Sequence, residues 1–163
     1  MDPVESKYVT EPHPDFPAVS GSGAIISTVM DYSKWLRCMM TRSGPLSSNG
    51  HASVVEPRIV YSAAGNNPYT GDHLYGLGWY IDTYRGEKII WHSGGWTGFG
   101  SVMVFIPRRQ RGFFMMGNTL RTSNYVQIIA YFHLLDELLS IPQSERVDWD
   151  LRLQEMVSER RRK

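Results

Sequence analysis

The run Lys88-Ile89-Ile90-Trp91-His92-Ser93-Gly94-Gly95-Trp96-Thr97-Gly98-Phe99-Gly100-Ser101-Val102-Met103-Val104-Phe105-Ile106-Pro107 decides how the rest of the chain is read. Lys88 to Trp91 and Ser101 to Ile106 have the composition of strands, and the segment between them is polar and dense in glycine. Glycine has no Cβ, so backbone N–H groups in such a segment stay open to the close approach of another group. His92 and Ser93 stand among them with side chains that form hydrogen bonds. The pattern is that of an active-site edge without a nucleophile of its own.

Working outward, Tyr75-Gly76-Leu77-Gly78-Trp79-Tyr80-Ile81 reads as a strand, Arg85-Gly86-Glu87 as a hairpin turn, and Lys88 to Trp91 as the returning strand. Gly112-Phe113-Phe114-Met115-Met116 adds another after the basic turn Arg108-Arg109-Gln110-Arg111. Short connections between such runs predict an antiparallel meander of three or four strands. Upstream, Thr28-Val29-Met30-Asp31 has the form of a capping box. Tyr32, Trp35, Leu36, Met39 and Met40 follow at helical spacing, so an amphipathic helix is predicted to end before Gly44-Pro45. Residues 43 to 73 read as loops with at most a short helix, and residues 1 to 23, with four prolines, as an extended loop region.

Downstream, Tyr125 to Leu139 is apolar on nearly every side and stops at Pro142, which predicts a largely buried helix covering one face of the sheet. Residues 142–163 read as a C-terminal helical tail whose basic end, Arg160-Arg161-Arg162-Lys163, complements the helix dipole. The fold class is therefore α+β, with a partial domain over residues 24–141.

Composition narrows the function. A chain of 163 residues supports one core. A net charge of +1 argues against a nucleic-acid partner. No apolar run is long enough to span a membrane, and the first residues lack the basic and apolar regions of a signal peptide, so a cytoplasmic chain with no membrane partner is expected. Cys38 is the only cysteine, which rules out an internal disulfide, and its place in a helix reads as a structural thiol. His13, His51, His73, His92 and His133 lack ligand spacing, so neither a metal nor any other cofactor is expected.

Gly23-Ala24-Ile25-Ile26-Ser27-Thr28 leading into Asp31-Tyr32-Ser33-Lys34-Trp35-Leu36, then Tyr75-Gly76-Leu77-Gly78-Trp79, then His92-Ser93-Gly94-Gly95 and Gly117-Asn118, resemble in order and approximate spacing the landmarks of the serine β-lactamase-related family. That family includes class C β-lactamases, penicillin-binding proteins, D-aminopeptidases, esterases and acyltransferases. The resemblance implies a fold like the C-terminal lobe of its catalytic domain, covering about residues 16 to 141. It implies a serine acyl-enzyme acting on an ester, amide or lactam, with a small-molecule acyl substrate and no cofactor. His92-Ser93-Gly94 matches the third motif, the His-x-Gly form of Lys-Thr-Gly, so His92, Ser93 and Gly94 become substrate-binding residues. His92 would hold a carboxylate or carbonyl, and the Gly95 N–H would form half of the oxyanion hole. Histidine in place of lysine there disfavours an efficient β-lactamase.

The family's other two motifs are missing. The residues three places before the lysines are Val4, Asp31, Arg85 and Arg160, so there is no Ser-x-x-Lys, and no tyrosine has Asn two places later. No Gly-x-Ser-x-Gly supplies a nucleophile elbow instead. Pairing Ser93 with its neighbour His92 is disfavoured, because adjacent strand residues point to opposite faces. The leading expectation is a C-terminal fragment or split part of a family enzyme, inactive alone, which takes an N-terminal complementary segment or self-associates through an exposed Gly112–Met116 edge. The alternatives are a non-catalytic remnant serving as a binding or interaction module, and an unrelated α+β domain in which His-Ser-Gly-Gly is a tight turn.

Overall fold

The computed structural model describes residues 9–10, 12, 17–62, 68–96 and 98–161. Most of the 1–23 loop region and Thr97 lie outside them. From Pro17 the chain is not extended but turns through a 3-10 segment, Pro17–Val19, and one helical turn, α1 (Ser20–Gly23). Two compact units divide the chain: Asp15–Gly94 with Ser101–Met116, and Met1–Pro14 with Gly95–Gly100 and Gly117–Lys163.

In the first unit, α2 (Val29–Thr41) begins where its capping box predicts. The Asp31 N–H donates to Thr28 Oγ1 at 3.2 Å, and the Thr28 hydroxyl donates to Asp31 Oδ2 at 3.1 Å. Lys34 bonds the same carboxylate at 2.8 Å and is the main reason that Asp31 ionises below its ordinary range. The helix ends at Arg42, which takes the left-handed conformation ahead of Gly44. Just beyond, the Ser43 carbonyl accepts from the half-buried Cys38 thiol at 2.6 Å and lies 2.9 Å from His51 Nε2 on α3 (Ser48–Val54). A Cβ on Gly44 would come within 2.7 Å of that sulfur, so this cysteine is part of the helix stop.

The stripe set by the helical spacing does pack. Leu36 and Met39 are buried with Trp79, Ile90, Met103 and Phe105, with Tyr32, Trp35 and Met40 against the cluster. Tyr32 stacks on Phe114 with ring centroids 4.6 Å apart. Each large side chain so buried contributes about 1.5–3 kcal/mol of transfer free energy.

The sheet has six strands rather than three or four, in the order of the chain: β1 (Ile59–Ser62), β2 (Thr70–Tyr75), β3 (Tyr80–Tyr84), β4 (Glu87–Trp96), β5 (Phe99–Ile106) and β6 (Arg111–Gly117). β1 and most of β2 fall in the stretch read as loops. All four β1 residues are exposed and β2 opens on the polar run Thr-Gly-Asp-His, so neither shows the alternation of a half-buried strand. Nor is Tyr75 to Ile81 one strand. The Gly76 N–H donates to the Trp79 carbonyl at 2.8 Å and Gly78 has φ 80°, so the chain reverses between β2 and β3. A Cβ on Gly76 would meet the carbonyl oxygens of Val54 at 2.8 Å and Glu56 at 2.9 Å.

Strand register follows from the turns. β2 and β3 pair with Leu74 opposite Ile81 and Tyr75 opposite Tyr80, and β3 and β4 with Tyr80 opposite Trp91 and Asp82 opposite Ile89. Between β3 and β4 Arg85 and Gly86 both have positive φ, 52° and 78°, the requirement of a two-residue type I′ hairpin. Glu87, buried at the start of β4, accepts from Arg109 Nε at 2.9 Å, which ties down the basic turn between β5 and β6.

In the second unit α4 (Leu120–Leu138) starts earlier than its apolar pattern suggested, and α5 (Trp149–Arg161) forms the expected tail. The rings of Phe132 and Trp149 stack at 3.9 Å, Arg146 pairs with Glu137, and Gln127 Nε2 donates to the Gly100 carbonyl at 3.1 Å. Val126, Ile128 and Leu134 on α4 remain exposed. No helix among the described residues is long and apolar enough to cross a membrane.

Because the atoms facing Gly76 are backbone carbonyls that no rotamer change can move, Gly76→Ala is expected to cost about 1–3 kcal/mol. Urea unfolding reads this; a midpoint within error of the parent would show that the turn tolerates a Cβ.

Candidate active site

His92, Ser93, Gly94 and Gly95 follow one another along β4, the strand that begins at the type I′ turn. His92 is half-buried and its ring lies against two tyrosines. Tyr80 stacks on it at 5.3 Å with planes 18° apart, and the Tyr75 hydroxyl is 3.0 Å from Nε2. Burial holds the imidazole below its ordinary value of 6.5, opposed in part by a hydrogen bond to the Ser93 backbone. His92 is therefore neutral at pH 7, which does not suit the expectation that it holds a carboxylate as a cation.

Ser93, Gly94 and Gly95 are exposed on the strand. The need for glycine at position 94 is steric: a Cβ there would lie 2.8 Å from Ser101 Oγ on β5. The third residue of the triplet therefore lets a hydroxyl sit against the backbone.

A second constellation lies on the same strands. The Asp82 carboxylate is buried on β3 and receives two short hydrogen bonds, one oxygen from His73 Nδ1 at 2.6 Å and the other from Trp91 Nε1 at 2.6 Å. The His73 ring stacks on Tyr80 at 4.8 Å, so Tyr80 touches both histidines. Desolvation, then a hydrogen bond with Tyr61, pushes the Tyr80 phenol up to about 12, so it stays protonated. Sequence reading missed this network because His73 and Asp82 lie nine positions apart with no ligand spacing. The signal was the hairpin: given the turn at Gly76–Gly78, His73 and Asp82 come to face each other on paired strands.

Among the described residues no cluster of three or more His, Cys, Asp or Glu side chains could hold a metal ion. The His92–Gly95 segment brings a neutral imidazole, a hydroxyl and glycine backbone together along one strand.

Two measurements probe this site. As pH falls through 6.5 the unfolded chain protonates His92 before the folded one does, so the contribution is complete above that value and is lost as pH drops toward the lowered folded value. The fall in stability from about pH 7.5 to about pH 5.5 should be shallower in His92→Gln than in the parent; equal slopes would mean that His92 is not shifted. Gly94→Ala should cost about 1 kcal/mol, and in a Ser101→Ala background most of that cost should vanish. Additive losses would place the clash elsewhere.

The Beta-lactamase family profile matches residues 2–136. The unguisins hydrolase of Aspergillus campestris is 33% identical over 144 residues, covering 88% of this chain and 27% of that protein. The unguisins hydrolase of Aspergillus violaceofuscus is 32% identical, covering 95% of this chain and 30% of that protein. This chain thus spans less than a third of the length of either. Among solved structures, the octameric penicillin-binding protein homologue from Pyrococcus abyssi shares the fold with a TM-score of 0.54 at 24% identity, over 67% of this chain and 24% of that one. A match over most of the residues, together with relatives about one-third identical, shows that the chain belongs to the serine β-lactamase-related family.

Proposed function

We propose that this chain supplies the third-motif wall of a serine acyl hydrolase whose nucleophilic serine and lysine lie on a segment outside these 163 residues. The observation that carries the reading is His92-Ser93-Gly94-Gly95 running along β4, with Gly94 shaped to accept the Ser101 hydroxyl behind it. In the proposed reaction the serine oxygen attacks an ester, amide or lactam carbonyl, and the leaving group departs with a proton. Water then releases the acyl group from the serine. The Gly95 N–H receives the oxyanion in both steps, a contact whose removal costs about a hundredfold to a thousandfold in kcat in enzymes of this type. His92 and Ser93 orient the acyl group. The names of the two Aspergillus relatives make unguisins a candidate substrate.

The missing segment would sit beside β6, the last strand in the sheet order, and failing it the chain would self-associate through that edge. The exposed Val126, Ile128 and Leu134 on α4 support a covering partner. The absence of Ser-x-x-Lys from all 163 residues favours one second reading, a non-catalytic binding module of the same fold.

A chromogenic short-chain ester separates these readings. The purified chain alone is expected to give no turnover above the blank, and an in-frame Ser-x-x-Lys encoded upstream of Met1 is expected on the enzyme reading. Turnover by the chain alone that survives His92→Ala would overturn the proposal, and the lack of any such upstream motif would favour the binding module.

A further inference from the structure

The Tyr75-Gly76-Leu77-Gly78-Trp79 stretch has no role in the proposed reaction, yet it delivers one side chain to the third motif. Gly76 fits between the carbonyls of Val54 and Glu56, and Gly78 supplies the left-handed turn. This reversal ends β2 at Tyr75, starts β3 at Tyr80, and sets the two tyrosines opposite each other with rings 4.7 Å apart and nearly perpendicular. Tyr80 supports the flat side of the His92 ring, and Tyr75 reaches its edge with the hydroxyl 3.0 Å from Nε2.

We propose that Tyr75 is the positioning residue of the third motif: its O–H donates to Nε2 of His92, so the imidazole is held as the neutral tautomer with its proton on Nδ1. Two facts on either side of the ring agree. The hydrogen bond to the Ser93 backbone favours a proton on the ring, as a carbonyl acceptor does, and the nitrogen nearest its own backbone is Nδ1. Nε2 is then left as an acceptor, and the phenol of Tyr75, 3.0 Å away, has an O–H to give it. With both nitrogens engaged, the ring neither serves as a cation for a substrate carboxylate nor donates to a carbonyl, and its part is to shape the wall beside the Ser93 hydroxyl and the Gly95 N–H. The inference deepens the acyl-hydrolase reading by assigning the wall to uncharged acyl groups, esters or amides without a carboxylate at that end. It rests on that reading for its meaning but not for its test, which needs no turnover.

The test is the imidazole nitrogen spectrum of the full chain labelled with nitrogen-15 near neutral pH, with His92 assigned by comparison with His92→Gln. The expected result is a His92 signal dominated by the Nδ1-protonated form in the parent. In Tyr75→Phe, which keeps the ring but loses the hydroxyl, the ratio of the two tautomers should change several-fold while the backbone amide spectrum away from the site stays as it was. A His92 that is mainly Nε2-protonated, or charged, in the parent would overturn the proposal. An unchanged tautomer ratio in folded Tyr75→Phe would do the same. Should Tyr75→Phe fail to fold, the parent spectrum alone decides. Loss of ester hydrolysis in a nucleophile-bearing form would bear on the acyl-hydrolase reading and leave the tautomer result untouched.

Discussion

Asp82 is a carboxyl group taken out of water on the middle strand of a hairpin pair, and the geometry of β2, β3 and β4 follows from how its oxygens are satisfied. A polar group buried without partners costs about 1–3 kcal/mol, so each oxygen must find a partner. His73 on β2 and Trp91 on β4 provide them, both at 2.6 Å. One side chain thereby stitches three strands. A slip of one residue between β3 and either neighbour would carry Asp82 to the opposite face, where Ile81 and Ile90 face each other. The register that keeps Asp82 satisfied is also the one that sets Tyr75 against Tyr80, and both against His92. A polar constraint in the sheet thus fixes the surroundings of His92.

Glycine plays the complementary steric part, and its three decisive positions differ in kind. At Gly76 the obstacle is backbone, at Gly94 a rotatable hydroxyl, and at Gly44 a thiol that itself holds the helix end. The first is unforgiving because backbone cannot rotate away, and Gly44 adds the strain of a φ of 82°. The Tyr75–Trp79 and His92–Gly94 stretches of this chain are two halves of one arrangement: the first makes the turn that brings a tyrosine to the histidine of the second.

The parts of the fold that were legible in the sequence are those whose apolar residues repeat at a fixed period. The Tyr32–Met40 stripe, the Lys88–Trp91 and Ser101–Ile106 runs and the Arg85-Gly86 turn all stand where spacing and turn chemistry put them. β1 was hidden because an exposed strand of four residues has no buried face to write a pattern. The Tyr75–Ile81 segment misled because a strand, a glycine turn and a second strand concatenate into one apolar run with aromatic ends. His92 to Gly95 stand out in the sequence by the triplet and its flanking landmarks, and they run along one strand. The tyrosines around the His92 ring are not legible there, since Tyr75 and Tyr80 lie 17 and 12 positions away and meet His92 only after two strand reversals and one. His73, Asp82 and Trp91 were opaque for the same reason.

The chain-order arrangement of the strands, each beside the one that precedes it, has a kinetic side. Every pairing closes a loop little longer than the turn between two strands, and the entropy of closure grows with loop length. The Arg85-Gly86 hairpin, with only two residues between its strands, is the shortest closure in the β2–β4 region and the natural point from which pairing spreads in both directions. Topologies dominated by such local contacts reach the native state faster than those that must first bring distant segments together. The sheet bearing His92 is accordingly suited to assemble early, before the last strand edge finds whatever lies beside it.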